Sequence, residues 1–161
     1  MNHRFFFVII GAVALSISGK AQNLSLDETL EYLSRHCNEH ALGISDEYRF
    51  EIEDGEIHYY RQFEDAMSNS YRTWHYVFDI RRQIEVSSEP SYSPTIFAIT
   101  VKLPNRSVKI FEGNETRFER FNEVTFYITG GDVSRDKFLR ALNHLKSVVI
   151  MKYGEYSDPF D

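Results

Sequence analysis

Cysteine is nearly absent from this chain of 161 residues, because Cys37 is the only one. A single cysteine cannot form a disulfide within the chain, so the fold must be stabilised by its packed core. In an oxidising compartment a lone thiol is buried, reactive or paired with another molecule. Three hypotheses for Cys37 therefore have to be separated by its surroundings.

Basic residues are in the minority. The chain has 18 Lys and Arg against 24 Asp and Glu, a net charge of −6. Residues 1–21 contain Arg4 and Lys20 and no acid, so residues 22–161 carry 16 basic and 24 acidic side chains, or −8. Phosphate backbones require concentrated positive charge on the protein. Nucleic acid is therefore excluded as an expected partner.

Long apolar runs are missing except at the start, where Phe5 to Leu15 contains only apolar or small residues. Eleven helical residues reach about 16 Å, well short of the roughly 30 Å apolar core of a bilayer. Arg4 precedes the run, and Gly19 and Ala21 occupy the small-residue positions of a signal peptidase site. A cleaved signal peptide is the favoured interpretation, and a retained anchor is the weaker alternative.

The sequence thus predicts a signal peptide at residues 1–21 and a single domain at residues 22–161, exported to the periplasm or secreted. The 140 residues left after cleavage can bury a sizeable core. No further apolar run is long enough to span a bilayer, so the mature protein is not expected to be integral to the membrane.

The first predicted helix follows Ser25, whose side chain can cap it, and Glu28 completes a capping box. Its apolar positions recur at helical spacing and form one stripe, and Gly43 is the predicted stop. The stripe consists of Leu26, Leu30, Leu33 and Cys37.

A second helix is predicted near the end of the chain. Gly130-Gly131 breaks the preceding strand, and Asp132 or Ser134 is expected to cap the helix. Its stripe contains Phe138, Leu142, Leu145 and Val149.

Alternating apolar residues between the helices predict antiparallel strands. Asp54-Gly55 is a preferred two-residue turn and predicts a hairpin that pairs Phe50 with Tyr59 and Ile52 with Ile57. Residues 71–88 form one long strand or a bent pair, and a polar loop with Pro90 and Pro94 follows. Further strands are expected from Thr95 to Leu103, from Ser107 to Gly113, and near Val124 to Ile128.

The expected fold is α+β, with an antiparallel sheet or partly open barrel of about six or seven strands flanked by an N-terminal and a C-terminal helix. Strands followed by a C-terminal helix are also the order of pleckstrin-homology-like barrels. That likeness concerns architecture and implies no function.

His36, Cys37, Glu39 and His40 form the stretch richest in reactive side chains. We interpret it as a helix end, with Cys37 in the core and the two histidines next to the negative end of the helix dipole. The alternatives are a metal site at His36 and His40, whose spacing allows chelation, and a thiol-dependent enzyme. No local cysteine-protease signature surrounds Cys37.

The remaining candidate residues belong to the predicted sheet. Trp74, Tyr76 and Phe78 alternate along one strand, and an apolar small molecule bound by this aromatic face is an alternative function. His58, His75 and His144 are expected to be exposed. The acids of the hairpin are expected to form a solvated face: Glu51, Glu53, Asp54 and Glu56.

The chain resembles small exported bacterial proteins of unknown function, which combine a signal peptide with a leucine-rich helix and a closing helix. The likeness rests on LSLDETLEYL at Leu24 to Leu33, and on FLRALNHLKSVV with a DPF tail between Phe138 and Phe160. It implies export and a single domain but no residue role. We therefore predict a non-catalytic binding module without a cofactor, whose partner is an envelope protein or a small apolar ligand.

Overall fold

Two helices bracket eight strands in the computed structural model, which describes residues 24–43, 46–65, 70–82, 84–113 and 118–157. The predicted signal peptide and the DPF tail lie outside the described residues. The elements are α1 Leu26–Glu39, β1 Glu47–Glu53, β2 Glu56–Asp65, β3 Ser70–Phe78, β4 Glu85–Ser91, β5 Ser93–Lys102, β6 Val108–Glu112, β7 Glu119–Phe121, β8 Glu123–Ile128 and α2 Gly131–Tyr153.

The strands form two antiparallel sheets. One has five strands in the order β1-β2-β3-β6-β7, and the other has three in the order β4-β5-β8. The predicted α+β class with two flanking helices is confirmed, but the sheets do not close into a barrel. Eight strands divided between two sheets also replace the seven-strand order on which the pleckstrin-homology likeness rested. Neither helix described here combines the length and apolar character needed to cross a bilayer.

The predicted hairpin is present with the expected register. Phe50 pairs with Tyr59 and Ile52 with Ile57 across the Asp54-Gly55 turn. Asp54 and Gly55 both have positive φ, 50° and 84°, as a turn of mirror-image type requires.

Residues 71–88 form a bent pair of strands rather than one long strand. The chain turns after β3, where the Asp79 carboxylate accepts hydrogen bonds from the backbone N–H of Arg81 at 2.9 Å and from its guanidinium at 2.7 and 2.9 Å. This corner carries the chain out of the five-stranded sheet and into β4 of the three-stranded sheet.

The polar loop predicted around Pro90 and Pro94 is wrong, because both prolines lie in strands of a hairpin that turns at Tyr92. Pro90 is tolerated because β4 is an edge strand, where a missing N–H costs no ladder bond. Pro94 lies in β5 before Phe97, the first residue of β5 that pairs with β8.

The helix ends are partly as predicted. Ser25 caps α1 in a complete capping box with Glu28, but α1 ends at Glu39, earlier than the predicted stop at Gly43. The caps predicted for α2 are wrong. Gly130, with a left-handed φ of 92°, occupies the N-cap, and no side chain bonds the free N–H groups there.

The core lies where both helices meet the sheets, with α1 on β1 and against α2, and α2 on β5 and β8. Both predicted helical stripes are buried in it. Phe126 of β8 connects the layers, because its ring centroid lies 4.8 Å from that of Tyr59 in the five-stranded sheet and 5.2 Å from that of Phe138 in α2.

Candidate functional site

The end of α1 brings three metal-ligating side chains together. His36, Glu39 and His40 each offer one ligand atom, and these atoms lie within 4.8 Å of one another. The spacing i, i+3, i+4 places all three on one turn of the helix. We refer to these residues as the helix-end cluster.

His36 is the buried member of the cluster, with 4% of its surface exposed. Its Nε2 lies 2.9 Å from the backbone carbonyl oxygen of Ser134 in α2. Because a carbonyl oxygen only accepts, Nε2 carries the hydrogen and Nδ1 keeps its lone pair. The rings of Tyr32 and Phe138 stack near the imidazole, at 5.7 and 6.3 Å.

Burial lowers the pKa of His36 below its ordinary value, against the opposing effect of the hydrogen bond to Ser134. The imidazole is therefore neutral near pH 7. This corrects the prediction that His36 acts as a partial cation at the negative end of the helix, because desolvation outweighs that attraction.

His40 and Glu39 complete the cluster on its solvent side. The His40 ring centroid is 4.6 Å from that of His36, and its Nε2 is 3.1 Å from the hydroxyl of Ser134. Glu39 approaches Arg35 only to 3.9 Å, and both side chains are about 60% exposed. An ion pair of this kind holds the carboxylate weakly.

Cys37 faces away from this cluster and into the core, as predicted, with 2% of its surface exposed. Burial raises the pKa of the Cys37 thiol well above its ordinary value. A neutral, enclosed thiol is a poor nucleophile, so the position offers no support for a thiol-dependent enzyme.

His58, His75 and His144 are half-buried rather than exposed, which corrects the prediction for these three histidines. His144 donates from Nε2 to the carbonyl oxygen of Leu24 at 2.9 Å. His58 Nδ1 and His75 Nε2 lie 3.0 Å apart on the outer face of the five-stranded sheet. Both are partly covered by neighbouring strands, because the outer face of this sheet carries large side chains.

A row of stacked groups crosses that outer face from strand to strand. The Arg49 guanidinium carbon lies 4.5 Å from the ring centroid of Tyr60, Tyr60 stacks on His75 at 4.2 Å with planes 8° apart, and Phe111 lies 5.2 Å beyond His75. Phe118 continues the row at 5.3 Å from Phe111. Since the rings cover one another, the row presents their edges to solvent and stabilises strand pairing.

The aromatic residues predicted to bind a small molecule have unequal surroundings. Phe78 is fully buried in the core, and burial raises the pKa of Tyr76 to about 12. Trp74 is 36% exposed and packs edge-on against Phe63. The three share one face of β3, as predicted, with Tyr76 half-buried and Trp74 the most exposed. Neither groove described below is lined by any of them.

A groove of 660 Å³ runs between α1 and β1, and we call it the α1–β1 groove. Its apolar lining is largely buried, and its rim carries carboxylates from both elements. The apolar residues are Leu30, Phe50 and Ile52, the carboxylates are those of Asp27, Glu31, Glu51 and Glu53, and His58 and Tyr60 complete the lining. Glu51 and Glu53 are exposed, as predicted for the hairpin acids.

Next to this groove, side chains of α1 cover the free edge of β1. Asn38 accepts from the backbone N–H of Tyr48 at 2.7 Å and donates to its carbonyl oxygen at 3.0 Å. The hydroxyl of Ser34 accepts from the N–H of Phe50 at 2.9 Å. The helix thus satisfies the hydrogen-bonding groups that an additional strand would otherwise use.

A second open groove of 670 Å³ lies beside this row of stacked rings, between Arg49 and Glu112. Its charged lining residues are Arg49, Arg72 and Glu112. Arg72 pairs with Glu112 at 3.1 Å, and Arg49 pairs with Glu51 at 3.3 Å. Its charges are already balanced within the sheet, so it favours no ligand of one sign.

Comparison with known proteins assigns no family and no relative. A scan against family models returns no match for the chain, and searches of curated proteins and of solved structures return none either. The likeness to exported bacterial proteins therefore stays a prediction, and the functional interpretation rests on the geometry above.

Proposed function

We propose that this protein is an exported, non-catalytic binding module whose α1–β1 groove receives a basic, partly apolar segment of another exported protein. The observation that carries the proposal is the groove itself, which combines an apolar floor with carboxylates on both walls. Export is part of the proposal and is supported by the signal-like residues 1–21.

Charge complementarity supports a cationic occupant. Asp27 and Glu31 lie one helical turn apart on α1, and Glu51 and Glu53 lie on the same side of β1. Arg49 offsets part of the charge of Glu51 at 3.3 Å, so the rim stays acidic overall. The net charge of −8 on residues 22–161 favours approach of a basic partner by long-range attraction.

The apolar floor explains why a peptide segment fits better than a small cation. Leu30 and Phe50 are buried in the core, while Ile52 is only half-buried in the groove. Apolar side chains of a partner can cover Ile52 while its basic side chains meet the rim. The enclosed thiol of Cys37 supports a binding role over a catalytic one.

The small-molecule alternative has less support from the geometry. Phe78 is fully buried, Tyr76 packs half-buried against the core, and Trp74 is the most exposed of the three rings. An apolar ligand there would meet one exposed ring rather than the enclosed pocket that such ligands usually occupy.

A labelled peptide of alternating lysine and leucine tests the proposal by fluorescence anisotropy with the purified protein. The double substitution Glu31→Gln with Glu51→Gln is expected to weaken binding about fivefold, because exposed charge pairs contribute roughly 0.2–1 kcal/mol each. The matched control is Glu85→Gln with Glu123→Gln, which removes two exposed acids from the three-stranded sheet.

Binding is also expected to weaken between about 0.05 M and about 0.3 M salt, as screening shortens the range of the attraction. An equal loss in the control pair would show that net charge alone attracts the peptide. That result, or no binding to the unsubstituted protein, would exclude the groove as the site.

A further inference from the structure

We propose that the helix-end cluster binds one divalent transition-metal ion, with His36, Glu39 and His40 as its ligands. Two imidazoles and a carboxylate form a donor set that suits Zn²⁺ and its neighbours. Ca²⁺ and Mg²⁺ prefer oxygen ligands alone and are not expected to bind here. This site is separate from the α1–β1 groove.

The geometry of the cluster allows all three side chains to bind the same ion. Ligands that bind zinc at about 2.0–2.2 Å lie about 3.5 Å apart in a tetrahedral site, and the three candidate atoms are already within 4.8 Å of one another. His40 and Glu39 lie on the solvent side of α1. Modest rotation of these two side chains brings the three atoms to bonding distance.

The surroundings of His36 prepare it as a ligand. Metal-binding imidazoles usually donate their other N–H to a carbonyl or carboxylate, which fixes the orientation and the tautomer. The carbonyl oxygen of Ser134 provides that acceptor at 2.9 Å from Nε2. The Nδ1 lone pair then remains for the ion.

Electrostatics at the end of α1 also favour a cation. The last turn of a helix carries partial negative charge on its free carbonyl groups, and the Glu39 carboxylate adds to it. Arg35, at 3.9 Å from Glu39, is a competing charge and is largely exposed. An ion held by three ligands can displace so weak a partner.

The same arrangement favours binding over hydrolysis. H-x-x-E-H spacing also occurs in zinc peptidases, where the glutamate acts on water rather than on the metal. In the described part of the chain, the cluster contains no fourth histidine, cysteine or carboxylate. Glu39 is therefore needed as the third ligand and is not available as a base.

Titration of untagged, chelator-treated protein with Zn²⁺, followed by calorimetry, tests the site. We expect one ion per chain. Glu39→Gln and His40→Gln are each expected to lower the affinity about tenfold or more, because even residues that only hydrogen-bond a metal ligand contribute that much to metal affinity. His58→Gln removes a histidine from the distant sheet and is the matched control, with unchanged affinity expected. Co²⁺ absorption provides a second readout that reports nitrogen and oxygen ligands directly.

Far-ultraviolet circular dichroism of each variant verifies that α1 still forms. Three results would overturn the site: Zn²⁺ affinity that survives the double substitution Glu39→Gln with His40→Gln, an equal loss in His58→Gln, or Ca²⁺ binding as tight as Zn²⁺ binding. Because the groove variants Glu31→Gln and Glu51→Gln leave these ligands intact, they are expected to bind Zn²⁺ normally.

Discussion

His75 is a residue whose charge state is coupled to folding. Its Nε2 lies 3.0 Å from His58 Nδ1, so one nitrogen donates and the other must accept. Burial, followed by the proximity of His58, lowers the pKa of His75, while Glu51 opposes the shift and Arg49 adds to it. The unfolded chain, with the ordinary value near 6.5, therefore binds a proton more readily than the folded protein does.

This difference predicts that stability is lost in acid. Well above a pH of about 6.5, His75 is neutral in both the folded and the unfolded state, so its contribution to stability is complete. As the pH falls below that value, the unfolded state gains a proton first and the free energy of unfolding decreases. Urea unfolding midpoints at a series of pH values between about 7.5 and about 5 measure the effect.

The matched variant is His75→Phe, which keeps a ring between Tyr60 and Phe111 but cannot be protonated. Its unfolding midpoint is expected to fall less between the same two pH values, with His36 still contributing in both proteins. Identical slopes for the two proteins would refute the assignment to His75.

Residue positions were predictable where a local pattern determines burial. Cys37 follows Leu33 on the stripe of α1, and the structure encloses it. The partial burial of His58 and His75 was not predictable in the same way. Their coverage comes from Tyr60, Phe111 and the neighbouring strands, and only the register of β2, β3 and β6 brings these side chains together.

At the scale of elements, Asn38 is the side chain through which α1 substitutes for a missing strand. Asn38→Ala leaves the N–H and carbonyl oxygen of Tyr48 without these protein partners. We expect a loss of about 1–2 kcal/mol in the free energy of unfolding, the usual cost of such groups. We also expect association of chains in light scattering, because an uncovered strand edge pairs readily.

Asn143→Ala, the same change at an exposed position of α2, is the control and is expected to leave both measurements nearly unchanged. If Asn38→Ala unfolds at the same urea concentration as Asn143→Ala, the helix does not protect the edge of β1.

Several elements followed directly from turn and capping chemistry. The capping box of Ser25 and Glu28 and the turn at Asp54-Gly55 depend only on residues that are close in sequence. Both are found where expected. Pro90 and Pro94 misled the prediction because proline breaks a strand only where its N–H is required. Pro90 lies on an edge strand, and Pro94 lies outside the part of β5 that pairs with β8. Both facts depend on the arrangement of strands in the sheet, which local sequence does not reveal.

At the scale of the whole molecule, Phe126 determines whether the layers stay together. Phe126→Ala removes a fully buried ring that contacts Phe50, Tyr59 and Phe138. The expected loss is about 3–5 kcal/mol, the usual range for a buried phenylalanine. Helical and aromatic circular dichroism signals are expected to shift together in one earlier thermal transition.

Phe118→Ala, at a residue that is 42% exposed, is the control and is expected to cost less than about 1.5 kcal/mol, well below the loss from a core site. Two separate transitions in Phe126→Ala would contradict the view that one core joins both sheets.

The fold class was predictable from the sequence, but the candidate site was predictable only in part. The helix-end cluster lies within five consecutive residues, so its spacing was visible, while Ser134 came from the far end of the chain. The α1–β1 groove was not visible, because it forms only when Asp27 and Glu31 are placed beside Glu51 and Glu53 by the packing of α1 on β1.

The strand orders have a consequence for how the chain reaches its folded state. The polypeptide begins the larger sheet, leaves it at the Asp79 corner to make β4 and β5, returns for β6 and β7, and completes the smaller sheet last with β8. Neither sheet can be completed independently of the other, because each needs a strand that is synthesised after the other sheet has begun to form. A nascent chain that ends before residue 119 therefore holds two unfinished sheets, and folding is expected to be a late event that requires nearly the whole polypeptide.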